Sequence, residues 1–295
     1  MLARHTLRHM DRDHTTAPAA PGGLRPVLVE PLIRAADGTL SLGRYVLNHA
    51  LAQDGYALLY GGYDPESQRE VNVELQATTA QDQSQTLATM ERLVQINDPH
   101  IVAVRDVGAY ADARDADSVG VFLVMQSVHG LTFDRWLDAR PRETRTGNEV
   151  TQIVSIFAQA ARGMAAAHAV GLVHGSFDAS CIVVGYDGRA KLRGFGHDPA
   201  PALSPETQAG MPPSAWSDQY ALCSTLQDAL SAVSLKVPRR VARVIARGMS
   251  LNADERFESM SAMADAVTKA PLLRFRSSTL GAAGVALGSV LNLVR

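Results

Sequence analysis

Short apolar runs separated by turn residues occupy the first part of the chain and predict β-strands. Three such runs are rich in β-branched and aromatic residues and are divided by Asp, Gly and Pro, at residues 45–47, 56–60 and 70–75. Leu87, Met90 and Val94 then recur at helical spacing between residues 79 and 96. Two more strand-like runs follow at residues 101–107 and 119–125. The pattern indicates a β-rich part that contains one helix.

Longer segments with helical periodicity dominate the rest of the chain. They cover residues 151–168, 217–230 and 238–249, and the last begins at Pro238, a residue suited to the first turn of a helix. Strands followed by helices predict an α+β fold with two lobes. We expect a small β-rich N-lobe at about residues 41–126 and a larger helical C-lobe at about residues 127–270.

The two ends of the chain differ from this body. Residues 1–40 are predicted to form a disordered or irregular leader, and they contain no apolar run of the kind found in secretory signals. Residues 271–295 form an apolar tail. Its uncharged stretch, residues 279–294, is close to the length of about 17–25 residues that a membrane-spanning helix needs. A membrane helix and a helix packed on the protein body are both compatible with this tail.

Composition narrows the classes of function. A hydrophobic content of 46% supports a large core, and a net charge of -2 argues against a nucleic-acid surface. Cys181 and Cys223 are too few for a disulfide framework, which favours the cytoplasm. No paired Cys or His spacing indicates a metal site.

Two motifs in residues 173–196 give the most specific signal. The first reads His-Gly-Ser-Phe-Asp-Ala-Ser-Cys at residues 174–181, and the second reads Gly-Phe-Gly at residues 194–196. Their order and spacing are similar to the kinase motifs H-R-D-L-x-x-x-N and D-F-G. From about residue 43 to 270 the chain resembles bacterial eukaryotic-like serine/threonine protein kinases. Further ordered matches carry this resemblance, at residues 43–47, 98–102, 122–126, 204–206, 217–223 and 254–257.

The residues with architectural roles in that family are present. The resemblance implies that Glu206 and Arg256 form a partly buried ion pair and that Asp218 supports the catalytic-type loop from below. It also implies that His174 and Phe195 keep their packing roles. These residues predict that the protein-kinase-like fold is preserved.

The residues with chemical roles are replaced. Glu74 stands at the position of the nucleotide-binding lysine and Ser176 at that of the catalytic aspartate, while Cys181 and Gly194 replace the magnesium ligands. Ala52, Asp54 and Ala57 align with the phosphate-binding glycines, and Val73 and Met125 are expected to line the vestigial cleft. The position of the helix glutamate falls on Thr89, with Glu91 as an alternative register. We therefore expect no catalytic residues, no bound metal and no cofactor.

Several residues allow a second interpretation. Asp178 is either a displaced catalytic base or a loop-capping residue, and Cys181 is either a redox switch or a buried inert thiol. Glu74 either pairs with Lys191 or Arg193 or is exposed to solvent. A helical stripe of arginines is either a face for an acidic partner or solvated surface; it comprises Arg239, Arg240, Arg243 and Arg247.

These observations favour a pseudokinase that regulates or scaffolds another protein and does not transfer phosphate. The segments at residues 196–204 and 230–238 are also short for a substrate platform and for a further docking helix. One alternative is an atypical kinase or residual ATP-binding protein that uses Asp178. The other is a membrane-tethered adaptor that depends on residues 279–294.

Overall fold

A computed structural model describes eight segments of the chain. They are residues 29–36, 38–54, 57–79, 81–112, 115–140, 147–196, 204–233 and 237–269. Within these segments no helix is both long and apolar enough to cross a membrane. The apolar tail of residues 271–295, which prompted the membrane hypothesis, lies outside them.

A closed β-barrel forms the N-lobe. Its strands are β1 (Val29–Arg34), β2 (Leu40–Leu42), β3 (Tyr45–Asp54), β4 (Ala57–Asp64), β5 (Arg69–Ala77), β6 (Val104–Asp112) and β7 (Asp115–Gln126). The order around the barrel is β1-β2-β3-β4-β5-β7-β6. Neighbouring strands are antiparallel except β1 and β6, which are parallel. Alternate residues of these strands fill the interior, among them Leu42, Leu47, Val73, Phe122 and Val124.

The β1–β2 hairpin corrects the predicted leader. Residues 1–40 were expected to be disordered or irregular, whereas residues 29–34 and 40–42 form strands that close the barrel between β3 and β6. The strand is not evident from the sequence, because Pro31 and the charged residues Glu30 and Arg34 lower the local β propensity. The strand is set instead by pairing with β6 and by Leu32, which packs on the barrel core.

Helix α1 (Gln83–Val94) packs against β6 and β7 on the outside of the barrel. Its buried residues are Leu87, Met90 and Leu93. Val94, which the sequence pattern placed on this apolar face, is exposed instead. The spacing from Leu87 to Leu93 keeps one side of the helix against the lobe. Val94 is one residue further along, so its side chain points away from that side.

Helices build most of the C-lobe. They are α2 (Phe133–Asp138), α3 (Gly147–Ala169), α4 (Pro205–Gln208), α5 (Ala215–Ala232), α6 (Arg239–Gly248) and α7 (Met260–Thr268). A small antiparallel sheet joins β8 (Gly130–Thr132), β9 (Ile182–Gly185) and β10 (Ala190–Leu192). Helix α3 is central because it packs against α5, α7 and β10. The strand-rich N-lobe and helical C-lobe confirm the predicted α+β bilobed fold.

A close backbone approach connects the two lobes. A Cβ atom on Gly163 of α3 would lie 2.5 Å from the carbonyl oxygen of His100, so only glycine fits there without movement. The chain around His100 is also paired with β10: Leu192 N donates to His100 O, and Val102 N donates to Leu192 O, both at 2.8 Å. The segment that leads from α1 into β6 is therefore fixed on the C-lobe, and this fixes the cleft between the lobes.

Candidate functional site

Glu74 lies buried at the inner end of the interlobe cleft. Strand register places it opposite Leu59 of β4 and Leu123 of β7, on the barrel face that looks away from the interior. The residue is 3% exposed, and Gln76 Nε2 donates a 2.7 Å hydrogen bond to Glu74 Oε1. The sequence alternative of a solvent-exposed Glu74 is therefore wrong.

Little free space remains beside this carboxylate. The cavity beside Glu74 has a volume of about 10 Å³ in which the centre of a water molecule can lie. Side chains of both lobes enclose it, and they include Glu74, Leu93, Met125, Arg193 and Phe195. A space of this size holds about one water molecule. Arg193, one of the two proposed partners of Glu74, lines the same cavity, whereas Lys191 donates to the carbonyl oxygen of Ile101 at 3.3 Å.

Val73 does not line this cleft. Side chains alternate along a strand, so the neighbour of Glu74 points to the opposite face of β5. Val73 is fully buried inside the barrel with Leu47 and Val124. The residues that share the Glu74 face are Asn72 and Gln76, and Asn72 pairs with Met125 of β7. The cleft wall at this point is thus more polar than predicted, while Met125 lies where the sequence placed it.

The hairpin between β3 and β4 holds the three residues aligned with the phosphate-binding glycines. Ala52 pairs with Leu59, and Asp54 pairs with Ala57. Because Leu59 and Ala57 stand opposite Glu74 and Gln76, this register puts Ala52 and Ala57 on the cleft side of the sheet. The carboxylate of Asp54 lies outside the described atoms. The alanine methyl groups occupy the side from which a glycine backbone would approach a ligand.

Asp218 supports the loop of residues 174–181 from the C-lobe side. It lies in the first turn of α5, whose start is set by a capping box between Ser214 and Ser217. Its carboxylate accepts hydrogen bonds from the backbone N–H groups of His174 at 2.9 Å and Gly175 at 3.0 Å. His168 Nε2 donates to the same carboxylate at 2.7 Å. This arrangement matches the role that the sequence resemblance implies for Asp218.

An aromatic cluster links this loop to the Gly-Phe-Gly segment. The ring centroids of His174 and Phe195 are 4.6 Å apart, and those of His174 and Phe177 are 5.5 Å apart with the rings nearly perpendicular. His174 Nε2 donates to the carbonyl oxygen of Arg193 at 3.0 Å. The structure therefore brings His174 and Phe195 together as packing residues.

Ser176 and Cys181 belong to the same loop and are both buried. Among the described residues, Ser176 Oγ has no hydrogen-bond partner. Cys181 Sγ donates to the carbonyl oxygen of Ser176 at 3.7 Å. Burial raises the pKa of the Cys181 thiol to about 12, so the thiol stays neutral near pH 7. A buried neutral thiol favours the inert interpretation over the redox one, and it is a poor ligand for a hard cation.

Asp178 caps a short turn. Its Oδ1 accepts hydrogen bonds from the backbone N–H of Ser180 at 2.7 Å and from Ser180 Oγ at 2.6 Å. These bonds begin the 3-10 turn Ala179–Cys181. The geometry favours the capping interpretation, because the carboxylate oxygen is already occupied by local donors.

Gly194 and Gly196 both have left-handed backbone conformations, with φ of 83° and 76°. A Cβ atom on Gly196 would lie 2.3 Å from the terminal methyl carbon of Met90 on α1. Gly196 allows α1 to pack closely on the segment that follows β10. Gly194 has no side chain that could contact a metal ion. The described residues also hold no group of three or more His, Cys, Asp or Glu side chains that could bind one.

Glu206 and Arg256 form a bidentate ion pair beneath the cleft. Arg256 Nη1 lies 2.6 Å from Glu206 Oε1, and Nη2 lies 2.8 Å from Oε2. Arg256 also donates to the carbonyl oxygens of Ser250 and Trp216, and its side chain is fully buried. The Arg256 hydrogen bond is the main cause that lowers the pKa of Glu206 below its ordinary value. The structure thus forms the pair implied by the resemblance, with the arginine more deeply buried than expected.

Gln219 is a structural residue that the sequence analysis missed. Its Nε2 donates to the carbonyl oxygen of Phe257 at 2.9 Å, and Phe257 N donates back to Gln219 Oε1 at 3.0 Å. This two-way contact holds the backbone beside Arg256. The sequence signal is the polar triplet of residues 217–219 at the start of an otherwise apolar helix. All three of these polar residues are buried.

Comparisons with known proteins agree with the observed architecture. No protein-family model matches the chain. PkaB of Streptomyces coelicolor, a serine/threonine-protein kinase, is 28% identical over 215 residues, which is 64% of this chain and 48% of PkaB. PknA of Mycobacterium tuberculosis, also a serine/threonine-protein kinase, is 28% identical over 178 residues, which is 59% of this chain and 39% of PknA. The chain thus spans less than half the length of these curated relatives.

Solved structures are similar to this chain over most of its length. Two crystal structures of the PknI kinase domain of Mycobacterium tuberculosis superpose with TM-scores of 0.63 and 0.61 at 21% and 20% identity. The matches cover 76% and 83% of this chain and 94% and 98% of the PknI chains. The chain therefore has a protein-kinase fold, and its curated relatives are bacterial serine/threonine protein kinases.

Proposed function

We propose that this protein is a pseudokinase, a kinase-fold protein that regulates or scaffolds another protein by direct contact and does not transfer phosphate. The burial of Glu74 in a nearly filled cavity is the observation that carries the proposal. A buried carboxylate at that place repels the phosphates that a kinase lysine would attract.

The residues of the cleft do not fit a magnesium–ATP complex. Magnesium is held by oxygen ligands, and the two positions that would supply them contain the neutral thiol of Cys181 and the glycine Gly194. Ser176 offers a hydroxyl that has no hydrogen-bond partner among the described residues. Phosphoryl transfer depends on charge stabilisation, so the loss of these groups removes its main source.

Preservation of the supporting residues favours a binding role. Asp218, Arg256 and Gln219 satisfy buried backbone groups by specific hydrogen bonds. These contacts maintain the C-lobe without contributing to catalysis. A preserved kinase-like body suits a protein that presents its surface to a partner.

Phosphate incorporation tests the absence of catalysis. The protein is incubated with labelled ATP and generic substrates, once with magnesium and once with manganese, and compared with its Asp178→Ala variant. We expect no incorporation above background in either protein. Incorporation that disappears in Asp178→Ala would overturn the proposal in favour of an atypical kinase. Incorporation of equal size in both proteins would instead indicate a contaminating kinase.

Thermal denaturation tests nucleotide binding separately. A ligand present at ~100 times its dissociation constant adds about 2.7 kcal/mol to folding stability, which a melting curve resolves. We expect no melting shift with magnesium–ATP. A saturable shift that is lost in Met125→Trp would contradict this expectation and support the residual ATP-binding alternative. Adenosine serves as the comparison ligand, because it lacks the phosphates that Glu74 repels.

A further inference from the structure

Helix α6 carries a surface of four arginines that we call the arginine face, made of Arg239, Arg240, Arg243 and Arg247. At 100° per residue they fall within an arc of about 100° on the helix surface. The opposite side is buried and apolar, with Val241, Val244 and Ile245 packed in the C-lobe core. The residues that complete the outer side are alanines, so the exposed side of this helix is uniformly cationic.

This placement of charge opposes the stability of the helix. Arg239 and Arg243, and also Arg243 and Arg247, are one turn apart and repel each other. Arg239 and Arg240 stand in the first turn, where the helix dipole is positive and no acidic residue is present. A sequence under selection for helix stability alone would place acidic residues there.

The fold offers little compensation for these charges. In residues 29–269, leaving aside the segments that the structure does not describe, no ion pair involves Arg239, Arg240 or Arg243. Arg247 is held in place: its guanidinium donates to the carbonyl oxygens of Glu255 and Arg256, and it stacks 4.4 Å from the Phe257 ring centre. The stripe therefore has one fixed end at Arg247 and three guanidinium groups open to a partner.

Two other anionic partners fit less well than a protein segment. A membrane-surface helix must insert its apolar side into lipid, and the apolar side of α6 is covered by α5 and α7. A nucleic-acid surface normally belongs to a basic domain, whereas this chain has a net charge of -2. The stripe from Arg239 to Arg247 also rises only about 12 Å along the helix axis, which spans few phosphates.

We propose that the arginine face docks an acidic helical segment of a partner protein. Carboxylates at every fourth position of such a helix repeat at about 6 Å, the same spacing as that between Arg239 and Arg243. Arginine suits this role because its planar guanidinium binds a carboxylate through two parallel hydrogen bonds. The inference rests on the proposed function for the existence of a partner, and it names that partner's chemistry.

Fluorescence anisotropy tests the proposal with a labelled helical peptide whose glutamates are four residues apart. A peptide of the same composition with scrambled glutamate spacing is the matched probe. The test variant combines Arg239→Glu and Arg243→Glu. The matched control combines Arg69→Glu and Arg189→Glu, two exposed arginines outside α6. The control changes net charge equally without touching the arginine face.

We expect saturable binding of the spaced peptide, weakened about tenfold or more in the test variant and within about twofold in the control variant. We also expect the test variant to melt no lower than the unmodified protein, because it removes repulsion within α6. Absence of saturable binding, equal loss in both variants, or equal affinity for the scrambled peptide would overturn the proposal. Tighter binding of duplex DNA or of phosphatidylserine vesicles than of the peptide would overturn it as well.

This experiment is independent of the cleft. Detection of phosphoryl transfer would remove the pseudokinase proposal and leave peptide binding by α6 unaffected. Loss of specific peptide binding would remove the arginine-face proposal and leave the inactive cleft unaffected.

Discussion

The loop of residues 174–181 has two sides that differ in how their polar groups are satisfied. Towards α5, the carboxylate of Asp218 accepts both backbone N–H groups that face it and the ring N–H of His168. On the other side, Ser176 Oγ is buried without a hydrogen bond among the described residues, and Cys181 is a neutral thiol. One side is held by hydrogen bonds to a charged residue, and the other consists of these two uncharged side chains.

This difference separates the contacts that hold the loop in place from the residues at the positions of kinase chemistry. The supporting side is maintained because removing one partner would leave a buried polar group unsatisfied, which is costly in any folded protein. Four predictions test this separation, beginning with the largest expected effect.

Arg256→Ala should break the supporting side most severely. The change leaves Glu206 and two backbone carbonyl groups without their donor, and breaking a buried ion pair costs about 3–5 kcal/mol. Urea denaturation measures the loss of unfolding free energy. Arg189→Ala is the control, since that side chain is 75% exposed and should change stability by less than about 0.5 kcal/mol. An unchanged denaturation midpoint in Arg256→Ala would contradict the importance of this pair.

Acid should weaken the same pair reversibly. The folded pKa of Glu206 lies below its ordinary value of 4.5, chiefly because Arg256 donates to it. The unfolded chain therefore takes up the proton first as pH falls, so this contribution to stability is present above about pH 4.5 and is lost below it. Melting curves between neutral pH and pH 3 should fall more steeply for the unmodified protein than for Glu206→Gln. Parallel curves would show that the pair does not contribute.

Gly194→Ala should destabilise the cleft side moderately. A φ of 83° is unfavourable for a residue with a Cβ atom and costs about 1–2 kcal/mol. Gly188→Ala is the control for the backbone strain alone, because Gly188 has a similar φ of 79° in an open turn remote from the cleft. Gly194→Asp should show a loss similar to that of Gly194→Ala and no magnesium–ATP shift. A melting shift with magnesium–ATP in Gly194→Asp would mean that one aspartate restores nucleotide binding, which would contradict the proposed pseudokinase.

Asp178→Ala should have the smallest effect. It removes the hydrogen bonds to Ser180 that begin a short turn, a loss of about 1 kcal/mol or less. Asp178→Ser should retain most of the cap and most of the stability. Denaturation of both variants measures this difference. A loss as large as that of Arg256→Ala would place Asp178 in the supporting network.

The supporting residues could be predicted from the sequence because their types and order are distinctive. The resemblance to bacterial serine/threonine protein kinases implied the roles of Glu206, Asp218 and Arg256 through the motifs in which they stand. Gln219 was missed because the resemblance implied no role for it, and its contacts with the backbone of Phe257 leave no trace in residue types.

The wrong predictions concern residues for which a shift of one position along the chain changes the face on which the side chain lies. Val73 was assigned to the cleft next to Glu74, but alternation along β5 turns adjacent side chains to opposite faces. The same physical reason applies to Val94, where one step past Leu93 rotates the side chain to the surface. Strand β1 could not be predicted locally, because its pairing partner β6 is about 80 residues further along the chain.

The β1–β2 hairpin has a consequence for how other chains can meet the N-lobe. An open sheet ends in strands whose outer N–H and C=O groups can pair with a passing peptide or with another copy of the protein. In this barrel, among the described strands, each has a hydrogen-bonded neighbour on both sides. Where β2 covers residues 45–47 of β3 and β1 covers residues 109–112 of β6, a peptide therefore cannot extend the sheet.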